Sequence, residues 1–137
     1  MRVMAFGTFD NLHPGHLNYF KQACRFGDEL IVIIARDKNV LAIKKRAPQD
    51  DEKTRQRNVR RALKELGITG RAVLGNLKNR WLILKKYRPE IICLGYDQQV
   101  DLPQLAREIA KFCLFCKIKR LRAYCPEKYK SSFCRNN

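Results

Sequence analysis

The only two histidines of this chain, His13 and His16, stand three residues apart in the segment Gly7-Thr8-Phe9-Asp10-Asn11-Leu12-His13-Pro14-Gly15-His16. If a helix starts at Gly15, that spacing brings both imidazoles to one side of its first turn, where they can donate hydrogen bonds to a single polyphosphate. Gly7 would let a phosphate approach the backbone, and the helix N-terminus would favour negative charge. A lone histidine is ordinarily a cap or a satisfied core residue. Two that share a loop with Gly, Thr and Asp point instead to an anion site. Lys44, Lys45 and Arg46 follow a predicted strand, as do Gly95, Tyr96, Asp97 and Gln98, so both segments are candidate ligand loops. Asp10 and Asp37 also lie at strand ends, where they could orient a histidine, hold a water on Mg²⁺ or simply form turns.

These residues must be placed by the elements around them. Arg2 to Phe6 and Leu30 to Ala35 are short apolar runs of the kind that form strands buried on both faces of a parallel sheet. Between them Leu17, Phe20, Ala23 and Cys24 recur at helical spacing, with Gly27 as the expected helix stop. A second helix is expected from about Asp50, its stripe formed by Val59, Ala62, Leu63 and Leu66 and its end marked by Gly67. Then come a strand at Ala72 to Leu74, a helix at Trp81 to Tyr87, a strand at Ile91 to Leu94, a helix at Pro103 to Phe112 and a strand at Lys117 to Leu121. Alternation of this kind predicts an α/β, Rossmann-like fold: a five-stranded parallel sheet with helices on both faces. At 137 residues, one domain spanning 1–137 is expected.

Composition narrows the chemistry. No apolar run approaches the roughly 20 residues of a membrane span, and no long apolar leader ends in a small-residue cleavage site, so a cytoplasmic location is expected. The net charge of +16 attracts anions of every kind, and much of the excess lies in 38–61 and 111–137. Aromatic residues are not interleaved with the basic ones as a stacking platform for nucleic acid requires. Of six cysteines, Cys24 and Cys93 read as core positions. Cys113, Cys116, Cys125 and Cys134 leave free thiols, a disulfide and zinc ligation open.

The pattern Gly7-Thr8-Phe9-Asp10-x-x-His13-x-Gly15-His16 resembles the signature of the HxGH nucleotidyltransferases, which include glycerol-3-phosphate cytidylyltransferase, phosphopantetheine adenylyltransferase and archaeal-type FAD synthetase. Ser131-Ser132-Phe133-Cys134-Arg135 is similar to the superfamily's second signature, a helix start. Leu94-Gly95-Tyr96-Asp97-Gln98 falls where the superfamily contacts the base. The resemblance implies that His13, His16 and Lys44 act on the reacting phosphates, and that Gly7, Thr8, Phe9, Asp10, Gly15, Gly95, Tyr96, Asp97, Gln98, Ser131, Ser132 and Arg135 hold the nucleotide. It places Asp37, Lys44 and Lys45 at the acceptor, with Mg²⁺ bridging phosphate oxygens. It also makes a homodimer an expectation, because relatives often pair.

Cytidylyltransferases that use glycerol phosphate carry an aromatic, typically Trp, after Gly-Asp-Asp and an Arg-Thr-Glu-Gly-Ile-Ser-Thr-Thr run near the end. Gly95 to Gln98 and Pro126 to Ser132 here look more like the archaeal-type FAD synthetases, which transfer AMP from ATP to FMN, as does Gly27 to Asp37. Cys134 departs from the usual aliphatic residue, and the segment after Arg135 is short. An inactive, basic version of the fold that binds nucleic acid is the rival from another class, and salt separates the two. Nucleic-acid binding falls steeply as salt rises, whereas turnover of ATP should persist.

Overall fold

Alternation of side chains along each apolar run builds two cores, one on either face of a single sheet. In the computed structural model, which describes residues 1–95, 98, 100–112 and 114–122, the strands are β1 (Arg2–Gly7), β2 (Glu29–Ile34), β3 (Gly70–Leu74), β4 (Ile91–Leu94) and β5 (Lys117–Arg120). The helices are α1 (Pro14–Cys24), α2 (Asp37–Lys44), α3 (Glu52–Glu65), α4 (Ile83–Tyr87) and α5 (Leu102–Lys111). Val3, Ala5, Val32 and Cys93 face one core with Phe20 of α1 and Val59 and Leu63 of α3. Met4, Phe6, Ile31, Ile33 and Ile92 face the other with Trp81, Leu84 and Leu105. Cys93 is fully buried as expected, whereas Cys24 is only half-buried at the end of α1.

All strand pairs are parallel and the order is β3-β2-β1-β4-β5. The chain winds outward from β1 to β3 and then returns to place β4 beside β1. The winding direction therefore reverses between β1 and β4, and the crevice beyond their carboxyl ends is where such sheets bind ligands. The hydroxyl of Tyr19 on α1 sits in this crevice, 3.3 Å from the Phe6 carbonyl and 3.1 Å from that of Cys93, tying the two strand ends together.

Two local expectations are corrected. Gly27 does not stop α1, which ends three residues earlier with Arg25 as its cap. Its glycine is required by crowding instead, since a Cβ there would lie 2.5 Å from the Met1 carbonyl oxygen. Gly67 does take the left-handed conformation that ends α3, at φ 71°, and the Ile68 N–H closes the turn on the Leu63 carbonyl at 2.9 Å. A helix, α2, intervenes between β2 and the basic stretch; Lys44 is its last residue and Lys45 its left-handed cap, so Lys45 and Arg46 do lie in the loop beyond it. This helix carries no apolar stripe, burying Val40 alone while Leu41 and Ile43 stay exposed, so helical periodicity gave no signal.

Candidate active site

The loop after β1 is bent by two non-glycine residues in the left-handed region, Phe9 at φ 54° and Asn11 at φ 51°. That bend buries the Phe9 ring to 4% exposure, packed edge-on against His16 at 5.7 Å and Tyr19 at 5.8 Å. Phe9 thus holds the site from beneath, and only its backbone is free to meet a ligand. A Cβ on Gly7 would lie 2.6 Å from the Phe9 ring, so the glycine is needed first for this inward fold.

His13 is the N-cap of α1, and the two histidines form a reciprocal capping box. The Gly15 N–H donates to His13 Nδ1 at 3.0 Å, and the His13 N–H donates to His16 Nδ1 at 3.3 Å. A Cβ on Gly15 would meet the His13 ring at 2.7 Å, which explains the glycine between them. The rings stack with centroids 4.0 Å apart and an interplanar angle of 27°. With each Nδ1 accepting from the backbone, the hydrogen bonds assign the proton of each neutral ring to Nε2. Each histidine then offers one N–H at the positive end of a helix.

Burial, then the neighbouring His13 and the charge of Lys44, lower the His16 pKa to about 4, and burial lowers that of His13. Both rings are therefore neutral donors near pH 7. The sign of the linkage follows: between the ordinary value of 6.5 and about 4 the unfolded chain binds a proton at His16 that the folded chain refuses. Stability should fall as pH drops through that window and be untouched by this group above it. The melting temperature should drop more between pH 7.5 and pH 5 for the wild type than for His16→Asn. Equal drops would show that His16 titrates as a solvated histidine.

The two aspartates are committed to the scaffold. Asp10 accepts the backbone N–H groups of Gln49 at 2.7 Å and Asp50 at 3.0 Å. Burial alone would raise its carboxyl, but these two bonds together with the charges of Arg55 and Lys44 hold the group below its usual range. Asp37 and Glu52 cap each other's helices: the Glu52 N–H donates to Asp37 Oδ2 at 3.1 Å and the Asp37 N–H to Glu52 Oε1 at 2.9 Å. Arg55, fully buried, joins this network to the phosphate loop. It donates to Asp37 Oδ1 at 2.6 Å, the Thr8 carbonyl at 2.8 Å and the Asp50 carbonyl at 3.1 Å. Nothing in the sequence separated Arg55 from the basic residues around it.

Lys44 and Lys45 lie exposed at the end of α2, and Lys44 is close enough for its charge to act on His16 and Asp10. Across the crevice, Gly95 and Gln98 follow β4. Gln98 bridges the two strand ends, its Oε1 accepting the Gly95 N–H at 3.0 Å and its Nε2 donating to the Phe6 carbonyl at 3.3 Å. Arg120 of β5, also missed from the sequence, donates to the carbonyls of Gly95 at 2.8 Å and Gln98 at 2.6 Å. Tyr96, Asp97, Ser131, Ser132 and Arg135 lie outside the described residues, as do Cys113, Cys125 and Cys134. Among the described residues no three His, Cys, Asp or Glu side chains converge on a metal position. No described helix is long and apolar enough to cross a membrane.

Comparison with known proteins agrees with this arrangement. The cytidylyltransferase-like family matches residues 4–137. The FAD synthase of Methanosarcina acetivorans is 43% identical over 127 residues, covering 91% of this chain and 80% of that protein. The FAD synthase of Archaeoglobus fulgidus is 38% identical, covering 90% and 87%. Among solved structures, one described as a lipopolysaccharide core biosynthesis protein from Thermoplasma volcanium superposes with a TM-score of 0.80 at 38% identity, covering 90% of this chain and 98% of that one. With the paired histidines at the reversal point of a parallel sheet, these matches establish that the chain belongs to the cytidylyltransferase-like family of nucleotidyltransferases and is similar over nine-tenths of its length to archaeal FAD synthases.

Proposed function

We propose that the chain is an FMN adenylyltransferase, joining the AMP of ATP to FMN to give FAD and pyrophosphate. The observation that carries the reading is the pair of stacked, neutral imidazoles at the N-terminus of α1, in a chain about 40% identical to archaeal FAD synthases. An oxygen of the FMN phosphate attacks the α-phosphorus of ATP, the bond from that phosphorus to the bridging oxygen of the β-phosphate breaks, and pyrophosphate leaves. The attacking oxygen is already ionised, so no general base is needed and catalysis consists of positioning and charge stabilisation.

In this reading the Nε2–H groups of His13 and His16 donate to oxygens of the reacting phosphates, and Lys44 adds positive charge. Thr8, Asp10 and Gly15 shape the loop that holds them, Asp37 and Arg55 position it, and Lys45 flanks the acceptor phosphate. The turn at Gly95 to Gln98 meets the adenine, while Ser131, Ser132 and Arg135 hold the β- and γ-phosphates. Asp10 and Asp37 already carry internal partners, so a divalent cation such as Mg²⁺ would arrive on the triphosphate, held by phosphate oxygens and water. Its charge would offset that of the transferring phosphoryl group. ATP and FMN are the small-molecule partners, and the cytoplasm is where such metabolites meet.

The test is to incubate the purified, reduced protein with Mg²⁺, FMN and either ATP or CTP, and to identify products. FAD should form from ATP, with CTP a much poorer donor, because a base pocket rejects a base that leaves its polar groups unpaired. Formation of CDP-glycerol from CTP and glycerol 3-phosphate, without FAD from ATP and FMN, would overturn both the base and the acceptor assignments.

A further inference from the structure

Gly95 and Gln98, the two ends of the turn after β4, are joined within the turn by neutral hydrogen bonds alone. The Gln98 N–H donates to the Gly95 carbonyl at 3.1 Å, and the Gly95 N–H donates to Gln98 Oε1 at 3.0 Å. Neutral bonds of this kind are roughly half as strong as those made by an ionised donor. Arg120 supplies the ionised donor from outside the turn. A single nitrogen, Nη1, reaches the Gly95 carbonyl at 2.8 Å and the Gln98 carbonyl at 2.6 Å. Because one atom holds both oxygens, β5 sets how far apart the two ends of the turn can stand.

The strand delivers that nitrogen for a local reason. β5 is an edge strand whose register sets Arg120 opposite Leu94, and the Leu121 N–H on the Leu94 carbonyl at 2.8 Å carries the pairing to the mouth of the crevice. Side chains alternate along a strand, so Arg120 shares the face of Ile118, which packs in the core of Met4 and Trp81. Lys117 and Lys119 take the other face and stay exposed, as suits charges that guard an open edge. From the side of α1 the Tyr19 ring lies against Gly95, where an added Cβ would come within 3.2 Å of it. Gly95 is thus held between α1 and β5, and Gln98 Nε2 links the same turn to the Phe6 carbonyl at 3.3 Å.

We propose that Arg120 is a positioning residue for the base of the nucleotide, fixing Gly95 and Gln98 in the spacing that selects adenine. The inference rests on this turn meeting the adenine of ATP and names the side chain that gives it its shape. Arg120 bonds the turn and not the phosphate loop, which the histidine capping box and Arg55 hold from the other side of β1. Its removal should therefore be felt at the base and not at the phosphates. Bases are told apart by hydrogen bonds at fixed positions, so a turn whose ends drift loses selectivity together with affinity.

The experiment compares the wild type with Arg120→Met, which keeps the aliphatic stem without the donors, and with Arg120→Lys. Calorimetry with Mg²⁺ and either ATP or inorganic tripolyphosphate, without FMN, separates the base from the phosphates. Arg120→Met should weaken ATP about tenfold and leave tripolyphosphate within about twofold. The KM for ATP should rise by the same factor, the KM for FMN should stay within about twofold, and the preference for ATP over CTP should shrink. Arg120→Lys should recover most of the loss, since one ammonium can serve both carbonyls as the single Nη1 does. Arg120 is exposed, and water can replace it on the two carbonyls, so the melting temperature of both variants should stay within about 3 °C of the wild type.

Unchanged ATP affinity in Arg120→Met overturns the proposal. So does an equal loss for tripolyphosphate, which would put the guanidinium on the phosphates, or an equal rise in the KM for FMN, which would make it a general support of the site. A wild type that binds CTP and not ATP overturns it together with the base assignment. Failure of the wild type to make FAD sinks the adenylyltransferase reading by itself. ATP set against tripolyphosphate in Arg120→Met still decides what Arg120 does.

Discussion

His16→Ala should yield a folded protein whose kcat for FAD formation is lower by about two orders of magnitude or more. That is the scale for removing one preorganised donor to charge that develops in the transition state. The fold should survive because the ring contributes one bond of a capping box and an edge contact to Phe9, with a loss of about 1 kcal/mol for the cap. His16→Gln restores an N–H donor on a side chain of similar length and should recover part of the rate. The pH dependence adds a second criterion: with its pKa lowered to about 4, His16 is neutral across the working range, so activity should not require its imidazolium and its titration should leave no step in kcat between pH 8 and pH 6. Near-normal turnover in a folded His16→Ala would remove this residue from the reacting phosphates.

Arg55→Ala should be the most destabilising substitution in the site, by about 3 kcal/mol, because it withdraws a buried cation and leaves Asp37 and two backbone carbonyls without their partner. For a chain of this size that corresponds to a melting temperature lower by roughly 10 °C. Since Arg55 holds the Thr8 carbonyl, the phosphate loop should loosen as well, so the KM for ATP should rise even at temperatures where the variant is folded. Arg55→Lys keeps the charge but not three divergent donors, and should recover less than half of the lost stability. A thermal midpoint within about 2 °C of the wild type for Arg55→Ala would mean that the network around Asp37 does not hold the loop.

The sheet and the paired histidines were legible in the sequence because their signals are local. Leu30 to Ile34 is a continuous β-branched and apolar run, which a strand buried on both faces demands, and it forms β2. His13 and His16 flank a glycine at the one spacing that lets two rings cap a helix together, and both lie within a single strand-to-helix turn. Even the place of the second candidate loop was readable, since Gly95 directly follows β4, the strand that pairs with β1. Relations between distant segments decided the rest. Arg55 is one cation in a basic run, and only the approach of Thr8 and Asp37 across 47 and 18 positions turns it into the buried post of the site. Asp37 and Glu52 are ordinary acidic residues at helix starts until the fold sets the two N-termini face to face, where each carboxylate caps the other helix. Gly7 reads as a phosphate glycine, yet what forbids a side chain there is the Phe9 ring folded back beneath it. Residue type and spacing determine which chemistry the chain can offer; the long-range contacts determine which charged groups remain free to offer it, because each carboxylate that accepts an internal N–H or guanidinium is withdrawn from the ligand.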